Sequence, residues 1–100
     1  MTPPPVVVVT GSSTGGIGAS LTSAFAARGC IVYATSRKLE SLEGLKDSFG
    51  NKTGVVKKLQ LDVDSQKSVQ AAVETIIRDE GRIDILVNNA YALLCFYVCS

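Results

Sequence analysis

Apolar residues along this chain follow two rhythms that take turns. Val6 to Val9 is an unbroken run of four β-branched residues, the mark of a strand buried on both faces. The run stops at Thr10. Small residues follow, and from Gly16 the spacing turns helical, with Ile17, Leu21 and Phe25 on one face as far as about Arg28, where Gly29 is the stop. Residues 30–35 are a second strand, and Leu39, Leu42, Leu45 and Phe49 mark one face of a second helix, ended by the Gly50–Gly54 cluster. Residues 55–61 predict a third strand that ends at Asp62. Asp64 or Ser65 then caps a third helix with the face Val69, Ala72, Val73, Ile76 and Ile77, and Gly81 stops it. Residues 83–87 are a fourth strand, delivering Asn88, Asn89 and Ala90 at its carboxyl end.

Strands alternating with helices over short connections place the chain in the α/β class, with a parallel sheet and right-handed crossovers. The expected architecture is an incomplete Rossmann-type doubly wound sheet of four strands, ordered 3-2-1-4, with three helices. Its ligand crevice lies over the carboxyl ends of strands one and four. Residues 1–5 form a proline-rich tail, 6–90 the nucleotide-binding unit and 91–100 an apolar tail without polar periodicity.

Composition narrows the partners. A net charge of +1 gives no reason to expect nucleic acid or an anionic membrane. No apolar run reaches the ~18 residues of a membrane span, and no basic segment leads into a secretory apolar core. The three cysteines, Cys30, Cys95 and Cys99, contain no CxxC and there is no histidine, which argues against zinc. They read as small apolar residues in a reducing compartment, so the expected location is the cytoplasm.

The chemistry lies in Thr10-Gly11-Ser12-Ser13-Thr14-Gly15-Gly16-Ile17-Gly18. A glycine turn between strand and helix lets a pyrophosphate reach backbone N–H groups and the positive end of the helix dipole. Gly11 and Gly16 have P-loop spacing, but Ile17-Gly18 stands where Lys-Ser/Thr would hold a triphosphate and its magnesium. G-x-G-x-x-G is absent as well. What remains resembles the Thr-Gly-x-x-x-Gly-x-Gly loop of the short-chain dehydrogenases/reductases, lengthened by one residue. That longer form, with its Gly-Gly-Ile-Gly ending, is most similar to the fungal NADPH-dependent 1-acyl-dihydroxyacetone-phosphate reductase branch.

The resemblance implies a dinucleotide cofactor held by Gly11, Ser12, Ser13, Gly16, Ile17 and Gly18. The residue that sorts NAD from NADP stands about 20 residues past the loop, at the end of the second strand. Ser36 and Arg37 fill that place, with Lys38 beside them. A guanidinium offers a planar fork of donors to a 2′-phosphate, so NADP(H) is the expected cofactor. Asp62 and Val63 follow the third strand where the family sets an acid against adenine; an aspartate that merely starts a helix is an equal reading. Asn88-Asn89-Ala90 resembles the family's Asn-Asn-Ala-Gly, which lies under the cofactor, so Asn89 and Ala90 join the set. Lys57-Lys58 reads as a solvated strand edge.

At Tyr91 the resemblance breaks, since a glycine is expected there. The family's proton donor is a Tyr-x-x-x-Lys pair, assisted by a serine, and no Tyr-x-x-x-Lys occurs in these 100 residues. The expectation is therefore the cofactor half of a reductase without its catalytic half and with no catalytic residue of its own. Two further readings stay open: a module that binds NADP without turnover, and a read-through product after Ala90. The implied substrate is a ketone, acyl-dihydroxyacetone phosphate among the candidates. The fourth strand is expected to leave an open edge, and with the apolar residues 93–98 this predicts self-association.

Overall fold

The central strand β1, Val6–Val9, is buried along its whole length, as a run of valines between two neighbours must be. In this computed structural model, which describes residues 3–12, 16–45, 54–88 and, by backbone, 94–97, four more strands join it: β2 (Ile31–Ser36), β3 (Val55–Gln60), β4 (Ile85–Asn88) and β5 (Leu94–Tyr97). The sheet order is β3-β2-β1-β4-β5. The first four strands are parallel, with Val8 opposite Tyr33 on one side and Leu86 on the other, and Ala34 opposite Lys58. The expected 3-2-1-4 order is present.

Helix α1, Ile17–Ala27, carries the chain from β1 to β2. It ends at Gly29 with φ of 92°. There the Gly29 N–H donates to Ala26 and the Cys30 N–H to Phe25, a Schellman closure that needs the left-handed backbone. Helix α2, Gln66–Glu80, starts at Ser65, whose hydroxyl accepts from the Ser68 N–H at 3.3 Å, and stops at Gly81 with φ of 83°. Steps from β1 to β2 and from β2 to β3 run the same way, so right-handedness sets both connections on one face. There Ala19, Ala26, Leu42 and Leu45 pack on Val7, Val9, Val32 and Val56. The step from β3 back to β4 sets α2 on the other face, with Ile76 against Val6, Val8 and Tyr33.

Four expectations need correction. The second helix is a short 3₁₀ turn, Leu39–Leu42, leaving two α-helices among the described residues. Gly44 weakens any continuation; Leu42 and Leu45 are buried while Leu39 is 47% exposed. Phe49 lies outside the described residues. The third-helix stripe is narrower than its periodicity, because no other described helix shares the face of α2; Ala72 and Ile76 are buried, but Val73 and Ile77 are each 40% exposed. In α1, Ile17 is 58% exposed, and only Leu21 and Phe25 of its stripe pack on the core.

The fourth correction concerns the tail. The edge of β4 is not open: β5 pairs with it antiparallel, Asn88 opposite Leu94 and Ile85 opposite Tyr97. A parallel neighbour needs a crossover of a dozen or more residues, and the 89–93 connection is too short for one. Residues 94–97 thus belong to the sheet, and the ground for self-association through β4 falls away. Smaller shifts put Ser36 at the last position of β2, end β3 at Gln60 and begin β4 at Ile85.

The amino-terminal segment is tied down. The Arg82 guanidinium donates to the Pro4 carbonyl at 2.8 Å and pairs with Asp84 at 2.9 Å, and Asp84 Oδ2 accepts from the Val6 N–H at 2.8 Å. The end of α2 is tied as well. Glu80 Oε2 accepts from the Tyr33 hydroxyl and from Lys57 Nζ, both at 2.7 Å. The Lys57 hydrogen bond, aided by that of Tyr33, holds the Glu80 carboxyl below its usual range against the opposing effect of burial. Burial and Glu80 push the Tyr33 phenol well above its own. A depressed carboxyl stabilises the fold above its unfolded pKa and loses that contribution as pH falls through the folded value. Stability should therefore decline from about pH 5 downward, and Glu80→Gln should flatten this acid limb while costing about 1–2 kcal/mol at neutral pH. Urea melts at pH 7 and pH 4 are the check; an unchanged acid slope in the variant would assign it to other carboxylates.

Candidate functional site

The described residues among those expected to bind lie along one edge, the carboxyl ends of β1, β2, β3 and β4. The chain leaves β1 through Thr10, whose hydroxyl lies 3.2 Å from Asn88 Oδ1 and 3.3 Å from the Val87 carbonyl. Gly11 turns it with φ of 65°. Ser12 is fully buried. Its hydroxyl donates to the Val9 carbonyl at 2.9 Å, and its N–H to Thr35 at 2.9 Å. Thr35 Oγ1 also donates to Val9 at 2.9 Å, and Thr22 Oγ1 lies 3.4 Å from Ser12. Among the expected ligands, Ser12 therefore stands as an internal brace with both donors committed. Thr10, Thr22 and Thr35 complete that brace. Periodicity does not single them out, since each looks like an ordinary strand or helix threonine.

This brace brings the start of α1 hard against the loop. A Cβ on Gly18 would lie 2.4 Å from the Gly11 carbonyl oxygen and 2.9 Å from Ser12 Cα, so the close approach demands glycine. At the N-cap, Gly16 has no side chain to satisfy the first-turn N–H groups, and no acidic residue stands in that turn. The result is a cradle that presents backbone N–H groups and the positive end of a helix dipole, which suits a pyrophosphate. Exposed Ile17 sits at its rim. Ser13 lies outside the described residues.

The second part of the edge is the turn after β2. Ser36 is nearly buried, its hydroxyl 2.8 Å from that of Ser41. Arg37 and Lys38 are exposed, and neither side chain is in an ion pair among the described residues. The Gln60 side chain donates to the Arg37 carbonyl at 2.9 Å, a contact that the sequence reading did not single out. The only advance signal was its place opposite Ser36 in a parallel pair.

The third part follows β3. Asp62 Oδ1 accepts from the Asp64 N–H at 3.0 Å, and the Asp62 N–H donates to Ser68 at 2.9 Å. That is a helix-start role, and the carboxylate's other oxygen has no partner among the described residues. Val63, Leu61, Thr10 and Asn88 line the upper end of an apolar groove of about 380 Å³ that runs down between α2 and the sheet. Asn89 and Ala90 lie outside the described residues. No cluster of metal-ligating side chains occurs among those described. No helix of the described residues is long and apolar enough to cross a membrane.

Comparison with known proteins agrees with this arrangement. The family described as short chain dehydrogenase matches residues 5–93. The D-threitol dehydrogenase of Mycolicibacterium smegmatis is 40% identical over 85 residues, 85% of this chain and 32% of that protein. The NADP-dependent 3-hydroxy acid dehydrogenase of Escherichia coli is 38% identical over 85 residues, covering 85% of this chain and 33% of its own length. The crystal structure of L-sorbose reductase from Gluconobacter frateurii, complexed with NADPH and L-sorbose, superposes with a TM-score of 0.73 at 36% identity, over 87% of this chain and 33% of that one. The chain thus spans about a third of the length of these relatives. With a parallel 3-2-1-4 sheet, a glycine cradle at the start of α1 and a family match along nearly its whole length, the chain belongs to the short-chain dehydrogenase/reductase family.

Proposed function

We propose that this chain is the NADP(H)-binding portion of a reductase that transfers hydride between NADPH and a ketone. The observation that carries the reading is Arg37, exposed one residue past the end of β2, at the same sheet edge as the Gly11–Gly18 cradle. Gly11, Ser13, Gly16, Ile17 and Gly18 form the pyrophosphate side, with Ser12 holding the loop shut behind it. Ser36 and Arg37 face the ribose phosphate. Asp62 and Val63 border the adenine, and Asn89 and Ala90, by the family resemblance, lie under the cofactor.

NADPH, when bound, supplies the hydride. The residues of this chain bind, orient and exclude water. The N–H groups at the start of α1 balance phosphate charge, while the apolar wall of Val63 and Leu61 gives the base a dry flank. Two relatives speak for the cofactor: one is named NADP-dependent and one was crystallised with NADPH. The lengthened loop is the ground for placing the substrate among ketones such as acyl-dihydroxyacetone phosphate. Cys30, a buried free thiol whose pKa burial raises, suits a reducing compartment such as the cytoplasm.

Arg37→Ala tests the cofactor reading by titration calorimetry. It should weaken NADP+ by about 1.5–3 kcal/mol, the scale of a charged hydrogen bond, and leave NAD+ nearly unchanged. Equal losses for the two dinucleotides would exclude a contact with the 2′-phosphate.

A further inference from the structure

Arg37 lies at the first position beyond the ladder between β2 and β3, whose last paired residues are Ser36 and Gln60. Backbone past a ladder ordinarily turns its carbonyls to water. Here the Leu61 N–H donates to the Ser36 carbonyl at 2.9 Å, and the Gln60 side-chain amide donates to the next carbonyl, that of Arg37, at 2.9 Å. Gln60 thus extends the ladder by one bond from a side chain. On the opposite side the Ser41 hydroxyl lies 2.7 Å from the Lys38 carbonyl and 2.8 Å from Ser36 Oγ. Three consecutive residues, 36 to 38, are anchored from two directions, and the two cations project from that anchored strip.

We propose that Gln60 is a positioning residue for 2′-phosphate recognition, acting through the Arg37 carbonyl rather than by touching the cofactor. The inference rests on the proposed role of Arg37. A guanidinium on a free turn samples many directions and loses that freedom on binding, whereas one on a fixed backbone loses less. A glutamine donor fits the task because it satisfies the carbonyl without adding charge beside the phosphate. Glutamate at the same site would offer no donor and would repel the phosphate.

The test uses the whole chain with 2′,5′-ADP and 5′-AMP, which differ only in the 2′-phosphate Arg37 is meant to read, on wild type, Gln60→Leu and Arg37→Ala. Wild type should prefer 2′,5′-ADP. Gln60→Leu should weaken 2′,5′-ADP about 5- to 10-fold with 5′-AMP unchanged, and its backbone amides at 36–38 should become more mobile by ¹⁵N relaxation. Gln60 is exposed, so its melting temperature should stay close to that of wild type. If Gln60→Leu keeps the wild-type preference while Arg37→Ala loses it, Gln60 has no positioning role. Equal weakening of both probes by Gln60→Leu would reduce it to a structural part and overturn the proposal. If Arg37→Ala keeps the preference, it is the reading of Arg37 that fails. A wild-type chain that does not distinguish the probes overturns both.

Discussion

Gly18→Ala should remove dinucleotide binding and destabilise the fold by about 3 kcal/mol or more, the upper part of the range for overpacking. The added methyl would meet the Gly11 carbonyl oxygen at 2.4 Å, and the next nearest atoms, at 2.9 Å, are Gly11 C and Ser12 Cα. All three are backbone, so no rotamer change relieves the clash. Nor can the loop withdraw cheaply, because Ser12 is fastened to Val9 and Thr35. Either α1 tips away from β1 or the brace opens, and both separate the cradle from the helix N-terminus. Chemical denaturation and NADPH fluorescence titration on the same sample are the measurements. A variant that binds as wild type would show that the close approach is dispensable.

Leu42→Ala is the second large effect, at about 3–4 kcal/mol. A buried leucine lost to alanine costs 2–5 kcal/mol, more where the site cannot collapse. Leu42 is fully enclosed between the 3₁₀ turn and the sheet, in the cluster of Val32, Ala34 and Val56. Ile76 is buried to a similar degree, yet it borders the groove beside α2. Water and neighbouring side chains can enter there, so Ile76→Ala should cost less. For a domain whose whole stability lies near 5–15 kcal/mol, Leu42→Ala removes a large share. Urea midpoints of the two variants decide the order, and a milder Leu42→Ala would mean that the 3₁₀ turn closes over the gap.

What could be read from the residues was what local chemistry decides. Gly29 and Gly81 end helices because the backbone there enters the left-handed region, and Ser65 caps because its oxygen reaches the N–H three residues on. The valine run and the glycine loop likewise carried the sheet and the cradle. Decisions made by distant neighbours stayed hidden. Whether Leu39–Leu45 forms an α-helix or a tighter turn depends on how the segment meets the sheet, and Val73 and Ile77 have the period of a buried face without a partner to bury them among the described residues. Ser12 looks like a phosphate ligand until Thr35 and Val9 claim its donors. Gln60 looks like any polar residue at a strand end until its side chain meets the Arg37 carbonyl. The antiparallel direction of β5 follows from connection length, which an apolar tail read for periodicity alone does not bring out.

The central place of β1 also sets an order of assembly. Its pairings with β2 join residues 25 positions apart, as between Val6 and Ile31, while those with β4 join residues 78 apart, as between Val7 and Ile85. Tripling the loop adds only about 1 kcal/mol of closure entropy, but long-range pairings slow folding. As the chain emerges during synthesis, β1, α1 and β2 can meet early, with one flank of β1 bare. Val6 gains its last backbone partners only when Asp84 arrives. The first strand to be made is among the last to be finished, and until then it is the most exposed template for association with other chains.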